Sequence, residues 1–467
     1  MGDHGTAAVV GGGIAGMTAA YRLRQAGLRT TVFEERDRVG GRIWSVRKGD
    51  FLMDLGTAVY LGTYRDAIAL IGEVGLRDEL SERPAIGAMP RDGTLHHFDY
   101  GHPVRTGVRT RAISARSKLK AIKLAALVVK SRKCLGYDTY DGLATLDIET
   151  VREYCRRELN EELLQYAARP LVSGTWVADD GDSSVALLLW TIRNMLVPSV
   201  YNLSSGVAGL PDALAGHVDT RLAHPVSNVT DDGGAVDVTF TTPADGAERT
   251  ERFDACVIAT TAAPALGLFP QMDENHRELY ETTRYRRLGS ICLGLSHRPS
   301  DPATYILPSP AEDPDLIAVI ADHKKAPCRA PEGKGLLTVL LSHEYLERTD
   351  SLSNEQVLEY AIDRAERYHG PLGAIEEHMV VRWPESVPTI DRGRFKRIAR
   401  FKQRLDRRAR VQFASDLDRI PGLNGALVSG QEAAARVVAA LGSVADRQHA
   451  VEHLAAAGVE RHDAARE

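Results

Sequence analysis

Three glycines set between a short apolar strand and a helix constrain this chain most. Residues 6–10 are alanine and β-branched, suited to a buried parallel strand. Gly11, Gly13 and Gly16 follow at G-x-G-x-x-G spacing. From Ile14 to Gln25 the periodicity is helical, with Ile14, Met17, Tyr21 and Leu23 toward one side. Gly27 then stands where a helix C-cap would. Residues 29–33 form a second strand, closed by Glu34. Gly11 permits the tight turn, Gly13 lets backbone approach a pyrophosphate, and Gly16 lets helix and strand pack closely. The helix N-terminus offers N–H groups and the positive end of its dipole. Glu34 is placed to accept hydrogen bonds from ribose hydroxyls. Strand, glycines, helix, strand and acid in this order predict a dinucleotide site, against the alternative of a purely structural βαβ unit.

The next residues narrow the choice of dinucleotide. Glu34, Arg36, Arg38, Gly40, Gly41 and Arg42 form Glu-x-Arg-x-Arg-x-Gly-Gly-Arg. This resembles the second signature of the flavin amine oxidase, protoporphyrinogen oxidase and phytoene desaturase superfamily. The resemblance implies FAD. It also implies that the glycine pair brings chain against the cofactor and that the arginines face its phosphates. It places Ile14, Ala15, Glu35, Arg36, Gly41 and Arg42 beside the cofactor, with Gly11, Gly13, Gly16 and Glu34. The implied fold is α/β: a Rossmann-type FAD-binding domain interleaved with an α+β substrate-binding domain, of the glutathione-reductase-like, amine oxidase type.

Size and composition agree with a two- or three-domain globular protein. The chain has 467 residues, 43% hydrophobic and 26% charged, with net charge −5. That charge argues against bulk nucleic-acid binding. Cys134, Cys155, Cys256, Cys292 and Cys328 are scattered, with no CxxC pair. A reduced, cytoplasmic chain without structural disulfides or metal site is expected. The first residues, Met1 to Thr6, nominally fit a myristoylation pattern, but a flexible start is the expectation. No secretory leader is expected from these first residues, and no run of about 18 apolar residues occurs in the sequence.

Further along, residues 51–58 resemble the family segment that passes the flavin ring, with Gly56 and Thr57 closest. Residues 61–204 leave the nucleotide-binding pattern and carry helical stretches at about 64–74, 114–131, 147–168 and 183–196. Between Asp99 and Asp138 there are ten basic residues and no acid. Leu119, Ile122, Ala126 and Val129 fall at helical spacing within it. A basic amphipathic helix lies on an anionic membrane, meets an anionic substrate, or is a solvated face whose apolar side joins the core. The third is the expectation here, with peripheral membrane contact through 105–133 as the alternative. Residues 201–215 resemble the return into the FAD domain. Residues 226–241 alternate around Asp232-Gly233 and read as a hairpin, whose Val226 matches the adenine-holding position. Phe253 to Thr260 reads as another buried strand.

Strands are expected at 287–295, 316–320 and 336–341, and a helix at 354–369. Trp383 lines the pocket in the family reading and is a packed core aromatic in the plainer one. Residues 411–441 resemble the C-terminal FAD signature. Asp416 corresponds to the residue beside the pyrophosphate and ribityl chain. Gly425 and Ala426 open a helix aimed at the flavin, whose N-terminus stabilises the anionic reduced form. Ser415 departs from the glycine usual there.

The domains expected are therefore 1–60, 205–284 and 391–442 for FAD, 61–204 and 285–390 for substrate, and a loose tail at 443–467. The resemblance implies hydride transfer from a substrate C–H to flavin N5, giving C=C or C=N. No second G-x-G-x-x-G serves a nicotinamide cofactor, so O2 or another acceptor is expected. No cysteine sits in the C-terminal signature, so FAD is expected to be non-covalent. The lysine of true amine oxidases is missing from Leu288 to Ile291, which tilts the reading toward a protoporphyrinogen-oxidase-like or desaturase-like reaction. Oxidation of a small amine or amino acid, a non-redox flavin reaction such as a sugar mutase's, and a non-catalytic flavoprotein remain alternatives. No P-loop, HExxH or GxSxG is present. His96 and His97 are expected at the surface. No catalytic acid or base is assigned.

Overall fold

A computed structural model describes residues 5–442. The expected tail and the first four residues of the myristoylation pattern lie outside them. The chain divides into two compact units. Of the described residues, one comprises 5–43, 210–283 and 401–442, the other 44–209 and 284–400.

The first unit is built on strand β1 (Thr6–Val10), helix α1 (Ile14–Gln25) and strand β2 (Arg29–Phe33). β1 lies between β2 and strand Ala255–Ile258, and Asp219–Arg221 and Val411–Phe413 flank these. All five strands are parallel. Such a sheet is covered on both faces, which explains why Ala7 to Val10 and Ala255 to Ile258 are all buried. The periodicity of α1 points to one buried side, yet Thr18, Ala19 and Ala20 are buried too. The cause is helix Leu423–Leu441, which crosses α1 so closely that a Cβ at Gly430 would lie 2.1 Å from the Ala15 carbonyl oxygen. Small residues permit this approach.

Strands Val226–Asp231, Val236–Thr241 and Glu248–Phe253 form an antiparallel meander. Its first turn is the expected Asp-Gly: Gly233 has φ 85°, and Asp232 Oδ1 accepts from the Gly234 and Ala235 amides at 2.8 Å. The single strand expected over 253–260 is two. Phe253 ends the meander and Ala255 begins the parallel sheet. Between them Asp254 Oδ2 accepts from the Thr6 amide at 2.7 Å and the Thr6 hydroxyl at 2.9 Å, pinning the change of sheet.

The second unit contains a seven-stranded mixed sheet. Its order is Ile375–Pro388, Tyr285–Leu295, Gly335–Leu341, Leu316–Ala321, Tyr305–Ile306, Ile86–Arg91 and Thr94–Asp99. Ile291, Leu293, Leu337 and Val339 pack with Val357, Ala361 and Ala365 of helix Asn354–His369. That helix starts with a Ser353/Gln356 capping box. His96 and His97 lie on the edge strand, with His97 exposed and His96 half-buried.

The helix expected over 147–168 is broken. A Thr150/Glu153 capping box starts Val151–Glu158, and Asn160 re-caps the chain by accepting from the Leu163 amide at 2.9 Å. Residues Leu164–Ala168 form a π-turn before Arg169–Trp176. Pro170 supplies the reason: it has no N–H for the Tyr166 carbonyl, and its ring forces the turn wider.

The basic stretch departs from expectation. It forms helices Pro103–Arg109 and Ala115–Lys130. The apolar stripe of the longer one does not join the core: Leu119 is 69%, Ile122 62% and Val129 64% exposed. Its inner side is instead Ser117, Leu124, Leu127 and Val128, all buried or half-buried. Both flanks of this helix carry aliphatic residues, so periodicity alone does not say which one faces inward.

Candidate cofactor site

The glycine turn of the first unit has no room for side chains at two of its positions. Gly11 has φ 105°, and a Cβ there would lie 2.8 Å from the Ala259 carbonyl oxygen. A Cβ at Gly16 would fall 2.0 Å from the Gly11 carbonyl oxygen. Gly13 differs: a Cβ there meets nothing within 4 Å. It is the N-cap of α1, no side chain caps that end, and the first turn has no acid. Ile14 and Ala15 follow directly in that turn. The second glycine pair closes over the first. The Gly40 amide donates to the Gly12 carbonyl at 2.8 Å, and Gly13 and Gly40 form a parallel bridge. Gly41, at φ 58°, lies against Gly13 Cα. Open backbone beside an uncapped helix N-terminus fits a diphosphate.

Glu34 is 6% exposed at the end of β2. Its Oε2 accepts from the Gly12 amide at 2.6 Å and its Oε1 from the Arg36 amide at 3.0 Å. The Ala223 and His224 amides donate to the Arg36 and Glu34 carbonyls, so the strand beginning at Val226 starts beside this acid. Val226 itself is half-buried opposite Phe240. Glu35 and Arg36 point outward, with side chains 69% and 47% exposed. Arg38 turns into its own loop and donates to the Gly41 and Val39 carbonyls at 3.0 and 3.1 Å. Burial, with Arg36 nearby, lowers its pKa. Arg38 therefore braces the glycine pair.

The C-terminal segment converges on the same unit. Asp416 is 3% exposed and its Oδ1 lies 2.8 Å from Arg42 Nη2. Gly422, at φ 102°, begins helix Leu423–Leu441, again with no capping side chain and no acid in the first turn. Gly425 has no room for a Cβ, which would lie 2.1 Å from the Ile420 carbonyl oxygen. The Ala426 amide donates back to Gly422 at 3.0 Å. Ser415, in place of glycine, is accommodated: its amide donates to Ser429 Oγ at 3.0 Å. Burial pushes the Asp418 carboxyl up, but Lys402 and Arg419 hold it down at about 2. The fit to FAD is good: an open glycine cradle, a buried acid at the end of β2 and a second uncapped helix end all belong to this one unit.

In the second unit, Gly56 and Thr57 follow strand Phe51–Asp54 and are half-buried. Trp383 is 7% exposed, donates through Nε1 to the Leu55 carbonyl at 2.7 Å and stands edge-on to Trp44. It thereby braces the 55–58 segment from its own core. Below that segment lies a charged cluster that sequence reasoning missed. Arg329 Nη2 is 2.8 Å from Asp54 Oδ2 and donates to Asn202 Oδ1 at 2.6 Å. Lys325 pairs with Asp322 and donates to the Ala58 carbonyl at 3.0 Å. All four charged side chains are at most 1% exposed. Beside them, burial lowers His323 to about 4 and raises the Tyr305 phenol. No motif announces this cluster; its one trace is the packing of Lys325 and Arg329 into a Pro-containing, otherwise irregular run.

A family model for flavin-containing amine oxidoreductases matches residues 14–438. The chain belongs to this family. Coproporphyrinogen III oxidase of Bacillus subtilis (strain 168) is 22% identical over 448 residues, spanning 85% of this chain and 90% of that one. Protoporphyrinogen oxidase 2, chloroplastic/mitochondrial, of Arabidopsis thaliana is 30% identical over 182 residues, 38% of this chain and 34% of the relative. The solved cyclohexylamine oxidase from Brevibacterium oxydans IH-35A superposes with a TM-score of 0.73 at 18% identity, over 93% of this chain and 98% of that one. This last likeness establishes the fold. As a member of the flavin amine oxidoreductase family, the protein is an FAD-dependent oxidoreductase with a small-molecule substrate and an electron acceptor. No described helix is long and apolar enough to cross a membrane.

Proposed function

We propose that this flavoenzyme oxidises a porphyrinogen, removing hydrogen from its saturated carbons to leave C=C and C=N bonds. The observation that carries the reading is the likeness to coproporphyrinogen III oxidase along nearly all of both chains. The absence of a lysine from Leu288 to Ile291 supports it against a small-amine oxidase. FAD, held non-covalently, supplies a two-electron acceptor for substrate hydride, with O2 taking the electrons afterward as H2O2.

The chain's own share is binding and orientation. Gly11, Gly13, Gly16 and Gly41 hold the diphosphate against backbone, with the α1 N-terminus and Arg42 opposing its charge. Glu34 accepts from the ribose, and Val226 holds the adenine. Gly425 and Ala426 present the 423–441 helix end to the charge that develops on reduction. Gly56 and Thr57 leave room for the ring. This reading supports a cytoplasmic enzyme using O2.

Anaerobic mixing of the flavoprotein with coproporphyrinogen III, protoporphyrinogen IX, and a panel of amines tests the proposal. Bleaching of flavin absorbance by a porphyrinogen, followed in air by porphyrin fluorescence and peroxide, is expected. Bleaching by an amine alone overturns the substrate class. No bleaching by any donor, with turnover of a substrate that gains and loses no electrons, overturns net oxidation.

A further inference from the structure

The charged cluster beneath the 55–58 segment costs the fold a desolvation that an apolar core would not. Asp54, Asp322, Lys325 and Arg329 carry two charges of each sign and are at most 1% exposed. Well-packed aliphatic residues often replace such sets without loss of stability, so stability alone does not account for this one. Two short 3-10 turns, Asp322–Lys324 and Pro327–Arg329, deliver the cations. They set Lys325 against Asp322, three residues back, and Arg329 against Asp54. Thr338 Oγ1 donates to Asp322 Oδ2 at 2.6 Å. Ser45 Oγ and the Val207 amide donate to Asp54 Oδ1 at 2.6 and 3.2 Å. A buried network satisfied in this way rigidifies its surroundings.

The cluster converges on one carbonyl. Lys325 Nζ donates to the Ala58 carbonyl at 3.0 Å and Asn202 Nδ2 to the same oxygen at 3.4 Å. Arg329 in turn holds Asn202 through Oδ1 at 2.6 Å. Three residues before Ala58, Trp383 Nε1 donates to the Leu55 carbonyl at 2.7 Å, and the Leu55 amide donates to the Trp44 carbonyl at 2.8 Å. Both carbonyls that bracket Gly56 and Thr57 are thereby turned onto buried donors. Between these anchors, neither Gly56 nor Thr57 makes a backbone hydrogen bond to another described residue.

The direction of those carbonyls matters beside a ring that gains negative charge on reduction. A carbonyl oxygen turned toward the ring opposes that charge, and in a dry site the opposition is strong. We propose that Lys325 is a positioning residue: by holding the Ala58 carbonyl in the core it keeps that dipole off the flavin and so favours the reduced form. Trp383 does the same for the Leu55 carbonyl. This rests on the ring lying beside Gly56 and Thr57, as read above, and not on the porphyrinogen.

The test needs FAD and no substrate. K325M/D322N removes the cation and its counter-ion together and leaves Ala58 without the Lys325 donor. K325Q/D322N removes the same charges but keeps an amide donor at that position. The two-electron potential, measured by equilibration with a reference dye, should fall in K325M/D322N by at least about 30 mV, a tenfold change in the reduction equilibrium. K325Q/D322N should recover most of that fall. W383F frees the Leu55 carbonyl without touching a buried charge and should lower the potential in the same direction, which keeps the test decisive where the double variant does not fold. Hydrogen exchange at the Gly56 and Thr57 amides, with and without FAD, checks the ring's place. Exchange that FAD leaves unchanged in the wild type overturns that placing and the proposal with it. Exchange slowed by FAD, with wild-type potentials in the folded donor-lacking variants, overturns the proposal alone. So does an equal fall in both double variants, because charge and not the hydrogen bond then sets the potential.

Discussion

The Gly12 amide donates to the Glu34 carboxylate at 2.6 Å, joining the turn after β1 to the end of β2. The acid thus shapes the glycine turn, in addition to the ribose contact proposed for it. Glu34→Ala should weaken FAD binding at least tenfold, about 1.4 kcal/mol, through both losses. Fluorescence titration of the apoprotein measures this. Unchanged affinity would sink the assignment.

Arg42 and Asp416 form the corresponding tie from the C-terminal segment. Arg42→Ala leaves a 3% exposed carboxylate without that partner and removes a cation from the cradle. Flavin content at purification should drop, and Arg42→Lys should restore it only in part, since lysine lacks the planar fork. The ratio of protein to flavin absorbance reads both.

Gly430→Ala should be severely destabilising. Its Cβ would lie 2.1 Å from the Ala15 carbonyl oxygen, which is backbone and cannot swing aside. A cost of about 3 kcal/mol or more is expected from forced separation of the two helices. Denaturant midpoints test it, with Ala433→Gly as a neighbouring control.

Arg329→Met should cost about 3–5 kcal/mol by leaving Asp54 buried beside an aliphatic chain. Asp54→Asn in the same chain should recover part of that loss. Strict additivity of the two substitutions in denaturant unfolding would show that the pair is not coupled.

His323 gives the pH dependence a sign. Burial lowers its folded pKa to about 4, and Nε2 has no hydrogen-bond partner among the described residues. The unfolded chain, titrating near 6.5, therefore binds the proton first. Its contribution is full above about 6.5 and is lost as pH falls toward 4, by about 1 kcal/mol per pH unit. His323→Phe should flatten the thermal midpoint between pH 7 and 4.5 relative to wild type.

Residues 6–34 are legible because each signal is local: a five-residue run of alanine and β-branched residues, three spaced glycines, a 3.6-residue period and an acid. The same locality made the Asp232-Gly233 turn readable. Arg329 and Asp54 are 275 residues apart, and nothing near either one says that the other neutralises it. The break at Asp254 is not legible because Phe253, the last residue of a polar meander strand, stands next to the apolar run of the following one, and a tertiary bond to Thr6 marks where they divide. In the basic stretch the period correctly gave a helix. With aliphatic residues on both flanks, only Glu162, Asn160 and Arg91, distant in sequence, fix which flank turns inward.

The parallel sheet of the first unit draws its strands from 6–10, 29–33, 219–221, 255–258 and 411–413. A ribosome therefore makes all of residues 259–410 after the fourth strand before the last one can be laid down. Until then the edge of Ala255–Ile258 waits unpaired, open to chaperones and to neighbouring nascent chains. Biosynthesis, more than equilibrium stability, is where this discontinuous design is most vulnerable.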